Sequence, residues 1–291
     1  MEWNAETLPA ALAVVSAFLF ALGVQLQHLG LKHADPRTGT LISIGATAAV
    51  YWLVAPMFTI STYWLTVGAL WFALVGLFRP ALSARLAMSG IKYLGPTLTS
   101  GLAATNPIFA AAAAVIILGE ILTLPIAVGT AAVVMGVFVA SFARGGIRRG
   151  WPLWAIALPL GAAFFRAIGH PITMIGYETA PSPYFAGLVS YSVSFVVSLG
   201  AYQLGRRKMP PLSPGMGWFA LAGTINGLSL YCLNTALATG KLLTVAPIVS
   251  CSPVFAMALG LFVFKKEIIT RRTVATIALV VPGVVIVVVY G

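Results

Sequence analysis

Of the chain's 291 residues, 60% are hydrophobic and only 8% are charged, whereas soluble domains run at roughly 45–50% apolar and about 25% charged. A water-soluble fold of this length could not cover so much apolar surface, so the sequence describes an integral membrane protein. The net charge of +11 does not point to nucleic acid, because the basic residues are scattered over short connections instead of gathered on one module.

The predicted elements follow from apolar runs of about 20 residues, the length a helix needs to cross the hydrocarbon core. In chain order they lie at about 8–31, 38–58, 63–90, 96–118 and 123–143, then 152–177, 183–204, 215–239, 243–264 and 271–290. Glycine and proline punctuate them, at Asp35-Pro36, Gly95-Pro96, Gly145-Gly146, Pro181-Ser182-Pro183 and Pro210-Pro211. Segments such as Ala110–Leu118 and Val280–Val289 are apolar throughout, which fits helices and not the short alternating strands of a membrane barrel. Glu2 and Glu6 make the start acidic. A signal peptide begins with positive charge, so the run from Leu8 is expected to be a retained span. Cys232 and Cys251 fall inside apolar segments, with neither a disulfide framework nor metal-ligand spacing.

The second five segments echo the first. Glu120-Ile121-Leu122-Thr123 returns as Glu267-Ile268-Ile269-Thr270 at an offset of 147 (267 − 120). Asn106-Pro107 answers Ser252-Pro253 at 146 (252 − 106), and Ala34-Asp35-Pro36 answers Thr179-Ala180-Pro181 at 145 (179 − 34). Five is odd, so the second copy enters the membrane upside down. The expected architecture is all-α: ten transmembrane helices in two inverted five-helix repeats, residues 1–145 and 146–291. Inverted repeats are common in secondary transporters, with the solute held between the halves near the bilayer midplane.

Charge sets an expected orientation. The connections after helices 1, 3, 5, 7 and 9 carry thirteen basic residues: Lys32, Arg37, Lys92, Arg144, Arg148, Arg149, Arg206, Arg207, Lys208, Lys265, Lys266, Arg271 and Arg272. The opposite side has Lys241 alone among basic residues, with Glu2, Glu6, Glu120 and Glu178. By the positive-inside rule the basic face is cytoplasmic and both termini lie outside the cytoplasm.

The duplicated motifs Asn106-Pro107-Ile108-Phe109 through Leu118-Gly119-Glu120-Ile121-Leu122-Thr123, and Ser252-Pro253-Val254-Phe255 through Lys265-Lys266-Glu267-Ile268-Ile269-Thr270, resemble the drug/metabolite transporter superfamily, in its ten-helix, EamA-type branch. Within the branch the chain looks similar to amino-acid exporters of the YddG type. The resemblance implies a metabolite carrier working by alternating access, with helices 1, 3, 4, 6, 8 and 9 bordering a central cavity. It also implies cytoplasmic termini in many members, where the charge bias of this chain says the reverse.

Polar residues inside lipid are expensive and normally face the bundle interior or a water-filled cavity. Helix 1 places Ala21, Gln25, His28 and Lys32 on one face, and helix 6 places Arg166, His170, Thr173 and Tyr177 on one face. At an offset of 145 (166 − 21) the two stripes align pairwise, and they are expected to face each other across the cavity. Lys32 also fits a topology anchor that snorkels to the interface. The alternative for the deeper residues is helix-to-helix hydrogen bonding without solute contact. In helix 3, Arg79 is a candidate for binding a carboxylate, or else for tying down carbonyls freed by Pro80. Arg85 is expected to be structural. In helix 8, Asn226, Tyr231 and Asn234 are polar in an apolar setting, and Trp71, Phe72 and Tyr231 would give a solute apolar contact. Pro107 and Pro253 permit kinks in the close-packed helices 4 and 9, with Thr105, Asn106, Ser250 and Ser252 available to freed carbonyls. Glu120 and Glu267 stand just before helices 5 and 10, where the helix dipole favours them and Thr123 and Thr270 can cap.

Every acidic residue lies near a helix end, so a carboxylate proton relay of the kind found in pumps has no candidate, and proton coupling would fall to His28 or His170. No P-loop, zinc motif or intramembrane aspartate pair is present, and no metal or cofactor is expected. The sequence therefore predicts a multi-pass inner-membrane carrier, not an enzyme, whose partners are a small solute and the lipid bilayer, in a state compatible with a monomer. An amino-acid exporter is the first reading. Another small solute (drug, nucleoside or sugar phosphate), a channel and an intramembrane enzyme are the alternatives.

Overall fold

A computed structural model describes residues 7–33, 35–58, 61–94, 96–142, 152–204, 214–263 and 271–290. Among them the regular structure is helical throughout. The first half contains α1 (Thr7–Gly30), α2 (Pro36–Val54), α3 (Val67–Phe78), α4 (Ala81–Leu94), α5 (Pro96–Ala103), α6 (Asn106–Leu118) and α7 (Leu124–Phe142). The second contains α8 (Ala157–Gly176), α9 (Pro183–Leu204), α10 (Pro214–Thr239), α11 (Leu242–Ser250), α12 (Ser252–Phe262) and α13 (Arg271–Tyr290).

These thirteen helices make ten passages, because three expected spans are each built from two pieces. The third divides into α3 and α4 at Arg79-Pro80, the fourth into α5 and α6 at Ala104-Thr105, and the ninth into α11 and α12 at Cys251. Proline lacks an N–H and its ring clashes with the preceding turn. Pro107 and Pro253 therefore do not kink a continuous helix. Each occupies the first turn of a new one, where a missing N–H costs nothing. Among the described residues, eight helical stretches are long and apolar enough to cross a membrane, and Asn106–Leu118 and Leu124–Ala140 are shorter apolar helices.

Local chemistry fixes several ends. Asp35 caps α2, its carboxylate accepting from the amides of Arg37 (3.1 Å) and Thr38 (3.3 Å). Gly119 ends α6 with φ at 69°, a left-handed conformation that a Cβ disfavours. That turn aims Glu120 at the opposite half. Its carboxylate accepts from the amides of Leu242 (2.7 Å) and Leu243 (2.8 Å). Glu120 thus caps α11, not the helix that follows it in sequence, and Thr123 is exposed. Glu267 and Thr270 lie outside the described residues.

The packing has two-fold character. Helix α1 lies along α10 as α8 lies along α3 and α4; α2 meets α10 as α9 meets α3; α6 packs on α8 as α11 and α12 pack on α1; and α7 pairs with α13. Each half therefore puts its first span against the third span of the other. The core is built mainly from contacts between the halves.

Candidate functional site

The break between α3 and α4 falls in mid-membrane. Twelve residues of α3 rise about 18 Å, more than halfway through a hydrocarbon core of about 30 Å. Arg79 stands at this break, followed by a cis peptide bond to Pro80. In a continuous helix, residue 80 would donate to the carbonyl of Gly76. Ser194 of α9 donates there instead, at 2.6 Å, and its hydroxyl also lies 3.0 Å from the carbonyl of Arg79. The backbone freed by the proline is therefore served by a serine from the other half. The guanidinium of Arg79 has no such duty.

That guanidinium turns to α8. Nη1 of Arg79 donates to Nδ1 of His170 at 3.3 Å. Since arginine has no lone pair to offer, Nδ1 must be the acceptor, and the proton of a neutral His170 sits on Nε2. His170 is buried, with 5% of its surface accessible. One turn earlier on α8, Arg166 is half-buried and within electrostatic reach of Arg79. It has no hydrogen-bond partner among the described residues. It is the tenth of the twenty residues of α8, so it too is near the midplane. What the cluster presents is a set of N–H groups: the rest of Arg79, all of Arg166 and the Nε2–H of His170.

Aromatic side chains frame it. Phe72 packs on Tyr177 with ring centroids 5.6 Å apart, Phe78 on Phe165 at 5.7 Å, and Phe165 on Phe164 at 5.6 Å. Tyr177 donates its hydroxyl proton to the carbonyl of Asn234 at 3.1 Å. The hydroxyl of Tyr191 is within electrostatic reach of Arg79.

The other sequence-selected residues divide. Thr173 is buried on α8, but its hydroxyl is spent on the carbonyl of Gly169 at 2.7 Å. Gln25 is buried and donates to the carbonyl of Ala256 at 2.7 Å, tying α1 to α12. Asn234 donates to the carbonyl of Pro183 at 3.2 Å. Gln25 and Asn234 perform the helix-to-helix bonding that was the alternative to solute contact, and the Thr173 bond stays within α8. Trp71 is half-buried on α3, and Tyr231 is exposed on α10. His28 is exposed in the last turn of α1 and makes no hydrogen bond among the described residues. Asn226 keeps a buried carboxamide oxygen without a partner. The buried oxygen of Asn106 is in the same position, whereas Thr105 donates its hydroxyl to Leu102, as expected of a residue beside a broken helix.

The two stripes do not align at 145. A Cβ on Gly30 would meet the ring of Phe219, and one on Gly176 would meet the ring of Phe72. Likewise Gly23 faces Asn226 and Gly169 faces Arg79. The first and sixth spans therefore correspond at 146 (176 − 30 and 169 − 23), and the third and eighth at 147 (219 − 72 and 226 − 79). One residue is 100° of helical rotation, so the true mates of Arg166 and His170 are Phe20 and Val24, and the mate of Arg79 is Asn226. The charged cluster belongs to one side of the pseudo-two-fold only. A repeat that the residue-level reading passed over anchors this register: Gly68-Ala69-Leu70-Trp71-Phe72-Ala73-Leu74-Val75-Gly76 returns as Gly215-Met216-Gly217-Trp218-Phe219-Ala220-Leu221-Ala222-Gly223.

Comparisons with known proteins bear on the fold and its two repeats. No curated protein is similar enough to the chain to match it. Among solved structures 28 chains match. One of them, a crystal structure, superposes with a TM-score of 0.76 at 16% identity, covering 97% of this chain and 96% of the other, a likeness of fold. The EamA-like transporter family matches twice, over residues 7–142 and 153–289, once for each set of five passages. The chain is therefore a multi-pass membrane protein of the EamA-like transporter family, within the drug/metabolite transporter superfamily, a family that moves small solutes.

Proposed function

We propose that the protein is a secondary carrier that exposes one mid-membrane site alternately to the two sides of the inner membrane, and that amino acids or similar carboxylate-bearing metabolites leave the cell through it. The observation that supports this most is the placement of Arg79, Arg166 and His170 where α3, α4 and α8 meet, between the halves and near the middle of their spans by helix length. Rocking of one half against the other would change access to that point while the site itself stays assembled. The bias of thirteen basic connecting residues to one face supports a cytoplasmic position for that face.

Counterflow in proteoliposomes tests the reading. Excess unlabelled solute inside should drive transient accumulation of label through a carrier. Simple equilibration without overshoot would instead indicate a pore.

A further inference from the structure

We propose, building on the carrier reading, that the solute is net anionic, with at least one carboxylate or phosphate charge not balanced by an ammonium group. The site's three nitrogenous side chains are donors: every polar group that Arg79, Arg166 and the Nε2 side of His170 can offer is an N–H. An acceptor-rich ligand completes it, whereas an ammonium group meets two guanidinium charges and no carboxylate among the described residues of the cluster.

Charge gives the same answer. A guanidinium at mid-bilayer depth costs several kcal/mol unless it is paired, and two stand within electrostatic reach of each other. Among the described residues no carboxylate supplies their counter-charge. Asp35 is spent on the start of α2 and Glu120 on the start of α11, while Glu178 is exposed just beyond the end of α8. Glu2, Glu6 and Glu267 lie outside the described residues, and the sequence pattern puts them outside the expected spans.

A purely architectural role for the arginines fits less well. The carbonyl freed by Pro80 is already taken by Ser194, and Arg166 bonds no backbone group among the described residues. A neutral zwitterion would leave the excess positive charge in place. A monoanion removes half of it, and a dianion held by the two forks removes all of it.

The test combines binding and transport. Thermal unfolding of purified protein is followed with succinate, inorganic phosphate, glutamate and leucine, at ionic strength matched with chloride. Succinate and phosphate should raise the midpoint and leucine should not. R79Q and R166Q should each shift the required concentration at least tenfold. R85Q, which removes an exposed guanidinium of α4, should leave the response unchanged. Should a glutamine variant fail to fold, phenylglyoxal modification of the wild type, mapped by mass spectrometry, replaces it: succinate should protect Arg79 and Arg166. The proposal is overturned if leucine stabilises and exchanges while the anions do neither, an outcome that leaves the carrier reading standing. It is equally overturned if the anions act the same on R79Q and R166Q, or if they protect neither arginine. Arginine-dependent anion binding without counterflow would support the anion site and refute the carrier.

Discussion

The hydroxyl of Thr47 in α2 donates to the carbonyl of Gly223 in α10 at 2.6 Å. Its image under the internal repeat is Ser194 in α9 donating to Gly76 in α3, also at 2.6 Å, and both residues of the pair are displaced by 147 (194 − 47 and 223 − 76). At each glycine a Cβ would collide with a backbone oxygen, that of Ser43 at Gly223 and that of Ser190 at Gly76. Close backbone approach through small residues is how helices gain contact in lipid, where no hydrophobic force draws them together. Gly223→Ala and Gly76→Ala should therefore each destabilise by about 1–3 kcal/mol, the usual range for overpacking. Thr47→Val should cost about 1 kcal/mol. Unfolding in detergent measures all three, and a wild-type midpoint for both glycine variants would contradict the packing.

Glu120 offers a second pair of contacts between halves, at the membrane face opposite the basic connections. Two charge-assisted bonds to the amides of Leu242 and Leu243 also place its charge at the positive end of α11. Glu120→Ala should lose about 1–3 kcal/mol of stability, and Glu120→Gln, which keeps one acceptor, should lose less. A wild-type midpoint for Glu120→Gln beside a loss in Glu120→Ala would mean that the side chain acts by size and not by its charge-assisted bonds.

Gly169 sets the position of Arg79. A Cβ there would sit 3.2 Å from Cδ of Arg79, tight but against a flexible side chain. Gly169→Leu should keep the fold, push the guanidinium off His170, and weaken succinate binding at least tenfold. Thermal titration of the variant measures both effects. Unchanged binding would show that Arg79 does not need this seat.

An empty site holding two guanidinium groups should also cross its own transport cycle slowly, because reorienting uncompensated charge in a low-dielectric interior is costly. Efflux of labelled succinate from proteoliposomes should then accelerate several-fold when unlabelled succinate is added outside. Equal rates with and without external succinate would mean that the empty carrier returns freely.

Much of this could be read from residues alone. Length and apolarity mark the ten passages, and paired motifs such as Glu120 and Glu267 mark the repeat, because lipid forces long uninterrupted apolar runs. The register was harder. Offsets of 145, 146 and 147 all occur in the sequence, and it takes the seating of Gly30 against Phe219 and of Gly176 against Phe72, with Gly23 on Asn226 and Gly169 on Arg79, to assign 146 to the first and sixth spans. The Gly-x-x-Trp-Phe-Ala-Leu-x-Gly repeat could have anchored it, since both copies stand in plain view at 147. Arg79 and His170 could be chosen one at a time as polar groups in lipid, but their hydrogen bond joins residues 91 apart. It depends on a helix break whose angle no local pattern specifies. Glu120 misled for the same reason: proximity in sequence to α7 says nothing of α11.

Movement of one half against the other is tested most directly by tying the halves together. In a background with Cys232→Ala and Cys251→Ala, cysteines placed at Ile121 and Lys241, next to the Glu120 bridge to α11, can be joined by a short cleavable bis-thiol linker. Counterflow of a labelled amino acid or dicarboxylate should stop when the linker closes and return when it is cleaved. Counterflow at the full rate through quantitatively cross-linked protein would contradict alternating access.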